Sequence, residues 1–368
     1  MHYLYLVLYL CIAILFSNVG AAEAKKFEKG KILAGYDDGF FLASSDGNFR
    51  LEPSFALQLQ HKVEIKERDN DTNGFFIRRG RVKFEGNALT KDLTYEIEFD
   101  MGTPDEGDPQ FDLKDLYFDY LLNSRLHIKA GQFKTPFGFQ ELTSSKKLQF
   151  VDRSLASEEF VQGSDIGVMF WGPDEGAPVE YYLGAFNGDG DNNFNGNTDL
   201  IYVGNISFMP LGKYKKGESD LKGEKIPRLV FGLGGIYGPN AADGDYIYAL
   251  AGNAGLKYSG LSIRGEYFYR DNLDDTSIDS SSGDAHGFYA QGGYFLIPKK
   301  LEFALRASQF YREGDFDDEE EYSVGMNYFF FGNKLKIQMD YTLNIDENKS
   351  EGDDIKDHIV RTQFQMVF

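Results

Sequence analysis

Arg79, Arg81 and Lys83 stand at alternate positions of one segment, RRGRVKFEG, and on an extended chain alternate side chains leave the same face. Three cations on one face would attract an anion and replace part of its hydration; lining an aqueous passage, they would bias which ions enter it. Strand parity likewise sets Arg264 opposite Ile263, Arg306 opposite Leu305 and Arg361 opposite Phe364. Lys134, Lys146 and Lys147 add charge around Phe137 to Ser164, the longest stretch without strand period. A long aperiodic segment in a compact fold is usually functional. Folded inward it would narrow a passage and set its lysines opposite the arginine face; left outside it would be a solvated surface loop. Acids are equally available: Glu64, Glu85, Glu96, Glu98, Asp100, Asp115, Asp119, Glu266, Glu302 and Asp340 on the strands, and Glu141, Asp152, Glu158 and Glu159 in the aperiodic stretch. Any single arginine can be neutralised locally, so only a cluster left uncompensated would select ions.

The elements that must carry these residues are strands. Phe55, Leu57, Leu59, Val63 and Ile65 alternate with polar residues, as do Leu93, Tyr95, Ile97 and Phe99, and Leu335, Ile337, Met339, Tyr341 and Leu343. No helical period competes over a comparable length. Connections alternate too. Long, polar, acidic ones run from Glu67 to Gly74, Gly102 to Asp112, Asn187 to Asp199, Asp271 to His286, Glu313 to Glu321 and Asp346 to Asp357. Between them come tight turns at Leu89 to Asp92, Asn123–Ser124, Ser259–Gly260, Pro298 to Lys300 and Gly332–Asn333. Long loops on one side and short turns on the other predict a closed antiparallel transmembrane β-barrel of about 16 strands over residues 49–368. The linker Pro210 to Pro227 falls on the short-turn side yet is long and lysine-rich, and is expected to be a mobile periplasmic loop. Residues 25–48 would form a periplasmic segment or small hairpin.

The terminal HIVRTQFQMVF carries Phe364, Met366 and Phe368 on one face and Arg361, Gln363 and Gln365 on the other. It resembles the C-terminal assembly signal of bacterial outer-membrane barrels. The first face should meet lipid and the second water, and the strand should close against the first long one. At the other end Leu4 to Phe16 form a short apolar run, with an A-x-A site at Ala22 to Ala24. This reads as a secretory signal over residues 1–24, although its n-region has only His2 and no Lys or Arg. The chain's one cysteine, Cys11, would leave with it, so no disulfide or thiol chemistry is expected. The net charge of −20 argues against nucleic acid as a partner. A mean hydropathy of −0.40 argues against helical spans, but not against a barrel whose two faces average out. With 33 Phe and 23 Tyr, aromatic girdles can be built at both interfaces.

The segments FFIRRGRVKFEG, DLYFDYLLNSRLHIKAGQFKTPFG, DIGVMFWG and AFNGDG are similar to those of the phosphate-selective porin O and P family. That resemblance implies a homotrimeric barrel in the bacterial outer membrane, with its third loop folded into the pore and small, phosphate-like anions as its solutes. Lipopolysaccharide and the barrel-assembly machinery would be its further partners, and no cofactor is implied. The anion path would use Arg79, Arg81, Lys83, Lys134, Lys146, Lys147, Arg264, Arg306 and Arg361. The acids of the aperiodic stretch depart from an ideal phosphate channel, which leaves a general porin, or a structural or adhesive barrel, as alternatives. Asp191, Asn193, Asn195 and Gly196 resemble half of a calcium loop, but Tyr202 stands where a bidentate Glu is needed. An enzyme is not expected, because His61, His127, His286 and His358 are scattered and none lies beside a nucleophile-like serine turn.

Overall fold

Inside hydrocarbon every backbone N–H and C=O must find a partner, so strands can span only if their sheet closes. The structure is a computed structural model and describes residues 31–37, 39–103, 111–173, 177–239, 246–272, 284–312, 318–348 and 353–368. The proposed signal peptide and parts of four of the acidic loops lie outside these residues. A hairpin, β1 (Ile32–Tyr36) and β2 (Phe40–Ser44), comes first. The barrel then runs through β3 (Arg50–Ile65), β4 (Thr72–Asn87), β5 (Leu93–Asp100), β6 (Asp112–Asn123), β7 (Leu126–Lys134), β8 (Ser164–Gly172), β9 (Val179–Phe186) and β10 (Ile201–Phe208). It continues through β11 (Arg228–Pro239), β12 (Tyr246–Tyr258), β13 (Leu261–Asn272), β14 (Ala285–Ile297), β15 (Leu301–Arg312), β16 (Asp318–Phe329), β17 (Leu335–Asn348) and β18 (Asp353–Val367).

From β3 onward each strand pairs antiparallel with the next, and β18 returns to β3, with Phe364 opposite Leu59 and Arg361 opposite Lys62. The closed circle therefore has 16 strands. Phe368 extends the seam: its N–H donates to the Phe55 carbonyl at 3.0 Å, its carbonyl accepts from Phe55 N–H at 2.7 Å, and the two rings lie 5.4 Å apart. The hairpin attaches to β3 outside this circle, through Leu42 opposite Leu51 and Ala43 opposite Arg50. The tight turns need left-handed backbone, and Ser259 (φ 50°) with Gly260 (φ 86°) supplies it at both central positions of a two-residue hairpin.

Phe364 and Phe368 are exposed on the outer face, and Arg361, Gln363 and Gln365 point inward and are buried. The inner face of this strand does not meet water as expected, because Gln365 Nε2 donates to the Lys146 carbonyl of the third loop at 3.0 Å. The interior is not uniformly polar either. Phe133, Phe137, Phe160, Phe186, Val203, Ile236, Phe268 and Phe310 belong to one buried apolar cluster. Here β10 to β12 carry apolar residues on both faces, which is why their alternation is weak in the sequence.

Deleting Phe368 removes two seam hydrogen bonds and a ring contact. It should lower the fraction of barrel that assembles several-fold, read as loss of the fast-migrating, heat-modifiable band on a detergent gel. Assembled channels should conduct as the parent does.

Candidate functional site

The aperiodic stretch after β7 is the third loop, and it folds into the barrel. Gly138, at φ 77°, turns the chain into α1 (Phe139–Leu142); a 3-10 turn follows at Ser145–Lys147, then α2 (Leu155–Phe160). Ser154 caps α2, its Oγ accepting from the Ser157 N–H. Irregular backbone at membrane depth needs protein partners, and side chains of β13 to β18 supply them. Glu266 accepts from the N–H groups of Phe139 (2.6 Å) and Gln140 (3.3 Å), Asp340 from Val151 N–H (2.9 Å), and Ser308 Oγ from Ala156 N–H (3.0 Å). Lys336 donates to the Leu148 carbonyl (3.0 Å), Asn327 to that of Gln149 (2.8 Å) and Arg306 to that of Asp152 (2.9 Å). Glycines on the inner wall leave the required room. A Cβ on Gly293 would lie 2.1 Å from Gln149 Nε2, and one on Gly325 would lie 3.0 Å from the Phe150 ring.

The linker between β10 and β11 also folds inward, which corrects the expectation of a mobile periplasmic loop. Its Glu218 accepts from Gln140 Nε2 (2.7 Å) and Gln149 N–H (2.6 Å), and its own N–H donates to the Lys147 carbonyl (3.0 Å). Ser219 Oγ donates to Glu302 (2.7 Å) and Lys257 Nζ to the Lys215 carbonyl (2.9 Å). Buried amides and carboxylates on the loop and wall required such partners. The linker and the third loop thus form one body on the β13–β18 side of the lumen.

The cations named from sequence divide into three groups. Arg79, Arg81 and Lys83 share the inner face of β4 as parity predicts. A bulge opposite Gln58–Leu59 adds a residue that parity assigned to the other face: Arg78 also turns inward, its Nε lying 3.2 Å from Asp152 Oδ1. Arg79 and Arg361 reach the same carboxylate, at 3.6 and 3.3 Å, and Arg361 also meets Asp340 at 2.7 Å. Arg81 pairs with Asp100 (2.7 Å) and Glu98 (3.1 Å), and Lys83 with Glu85 (2.6 Å) and Glu96 (3.5 Å). In the loop region Lys134 and Arg153 share Glu141, each at 2.8 Å, and Lys146 lies 3.6 Å from Glu98. Arg264, Arg306 and Arg361, expected on the passage, instead lie buried beneath the loop. Arg306 pairs with Glu321; Arg264 stacks 3.8 Å above the Phe139 ring and donates to Tyr214. Lys147 is exposed, and its ammonium has no hydrogen bond or ion pair among the described residues.

Asp152 is the node of this network. Burial works to raise its pKa, but Arg78, Arg361 and Arg79 outweigh burial and hold the carboxyl well below the usual carboxylate range. Burial depresses the Lys146 ammonium; Glu98 opposes the shift, and Lys83 and Arg81 reinforce it. At the half calcium motif, Asp191 is tied to Lys114 at 2.9 Å, and Asn193 donates to the Asp189 carbonyl.

The model of the family described as phosphate-selective porin O and P matches residues 57–215 and 239–368. The chain belongs to this family. Porin O of Pseudomonas aeruginosa is 24% identical over 256 residues, covering 66% of this chain and 46% of that protein. Among solved structures, the outer-membrane channel DcaP of Acinetobacter baumannii aligns with a TM-score of 0.60 at 15% identity, covering 91% of this chain and 100% of that one. An anion-selective porin of Comamonas acidovorans aligns at 0.59 and 10%, covering 86% and 99%. This member of the porin O and P family is thus an outer-membrane β-barrel channel rather than a catalytic protein.

Replacing Asp152 with Ala removes the buried carboxylate that Arg78, Arg79 and Arg361 share and should cost about 3–5 kcal/mol, read as a lowered denaturant midpoint and easier proteolysis of the third loop. The pH sign follows from the depressed pKa. The carboxylate's contribution is complete above its unfolded pKa of about 3.9 and is lost only as pH falls through the lower folded value. Loop protection from protease should therefore be the same at pH 7 and pH 5.

Proposed function

We propose that this porin is a passive diffusion channel for small hydrophilic solutes, with no dedicated phosphate site. The observation that carries this reading is local compensation of the cations on the inner wall of β4 and around the third loop. Arg79, Arg81, Lys83, Lys134 and Lys146 each have a carboxylate within 4 Å, and paired charges retain little net attraction for a passing anion. Solutes cross down their own gradients, and weak, multi-site contacts let them leave as readily as they enter.

A second reading, an anion channel that prefers phosphate or polyphosphate, is favoured by the guanidiniums of Arg78, Arg79 and Arg81, which the bulge gathers on one wall, and by the exposed Lys147. The family's description and the anion-selective neighbour support it as well. In either reading the working form is a homotrimer inserted by the barrel-assembly machinery after removal of residues 1–24. Its acidic outer loops bridge to lipopolysaccharide phosphates through divalent cations.

Planar bilayers separate the two. Chloride current through the purified protein should be unchanged by millimolar phosphate; a concentration-dependent block would replace the first reading by the second. Replacing both Arg79 and Arg81 with Glu should raise the cation-to-anion permeability ratio several-fold. An unshifted reversal potential would mean that these side chains do not line the constriction.

A further inference from the structure

With the third loop and linker packed on one side, a cavity of about 310 Å³ lies against β5 to β9. That is the low end of the size range of small-molecule sites. Phe133, Leu142 and Met169 give it apolar wall, and Tyr117, Trp171 and Tyr182 add rings. Three of its five charges are committed: Lys134 to Glu141, Glu96 to Lys83 and the Tyr117 hydroxyl, and Lys216 to Glu180 and the Tyr182 hydroxyl.

The other two keep bonding capacity. Asp115, partly exposed to the cavity, has no hydrogen bond or ion pair among the described residues. Lys129 is ion-paired with Asp119 at 3.7 Å, too long for a normal hydrogen bond, and holds its ammonium 3.8 Å above the Tyr117 ring, so its N–H donors remain available to a solute in the cavity. Tyr117 is two residues along β6 from Asp115, so the carboxylate and the ammonium lie on the order of 7 Å apart along the wall. A zwitterion with its own charges about 3 Å apart, bonded to each at about 2.8 Å, spans such a gap.

We propose that this cavity is a binding step for zwitterions of amino-acid size with an apolar side chain. The solute's ammonium meets Asp115, its carboxylate meets Lys129, and its side chain rests on Phe133, Leu142 and Met169. A bare inorganic anion would satisfy only Lys129, and a neutral sugar neither charge. This inference rests on the channel reading above and names the solute class that the channel detains.

The test is single-channel recording of the purified full chain in chloride, with L-leucine as probe. Isovalerate and isoamylamine serve as analogues that keep one charge each. Leucine at millimolar concentration should lower or interrupt the current, and each analogue should need about tenfold more, as expected for one lost charge-assisted hydrogen bond. Asp115→Asn should remove the preference for leucine over isovalerate. Current that flows undisturbed by leucine, equal block by isovalerate, or an unchanged preference in the variant would overturn the inference and leave the channel reading standing. No current at all from the parent protein would overturn both.

Discussion

Main-chain amides cannot be left unbonded away from water, and that constraint organises this molecule twice over. At the outer wall it is met by closing β18 on β3, down to the Phe368–Phe55 pair at the end of the seam. In the lumen it reappears for two irregular segments at membrane depth, the third loop and the linker. There the ladder is replaced by side chains: Glu266, Ser308, Asn327, Lys336 and Asp340 bond loop carbonyls and N–H groups. Much of the inner wall's polarity is consequently spent on holding these segments, not on wetting a pore.

That use of the wall decides the electrostatics of the passage. A barrel lined by arginines invites an anion-selective reading, but several of these arginines serve as struts. Arg306 and Arg361 lie beneath the loop on carboxylates, and Arg264 spreads over Phe139. Asp152 then draws Arg78, Arg79 and Arg361 together. Low dielectric makes an unpaired buried charge costly, so the network is nearly neutral wherever it is buried. Lys147 is exposed, and Lys129 and Asp115 line the cavity against β5 to β9.

The two inner segments also make the lumen asymmetric. Apolar residues of the loop, including Phe137 and Phe160, pack with inward residues of β9 to β15 into a core resembling that of a soluble domain. Glycines such as Gly293 and Gly325 mark where the loop comes closest to the wall. A cavity lies against β5 to β9, where aromatic rings and mixed charges meet.

The closed barrel, its strand parity and the long-loop, short-turn sidedness were legible in the amino-acid sequence, because period-two alternation and turn chemistry are local properties of a chain. The sequence likewise placed Arg79, Arg81 and Lys83 on one face, and Phe364, Met366 and Phe368 on the face away from Arg361. It missed Arg78, whose inward turn comes from one extra residue in a bulge that only pairing with β3 reveals. It missed the inward linker, whose lysine-rich composition reads as solvated until Glu218 meets Gln140 and Gln149. Above all, it could name acids and bases on the same wall without saying which would neutralise which. Arg78 and Asp152 are 74 residues apart in the chain, and Arg361 and Asp152 are 209 apart. Pairing over such separations is decided only when the closed barrel and the inserted loop bring the groups within Coulombic reach, and no periodicity in the sequence records that distance.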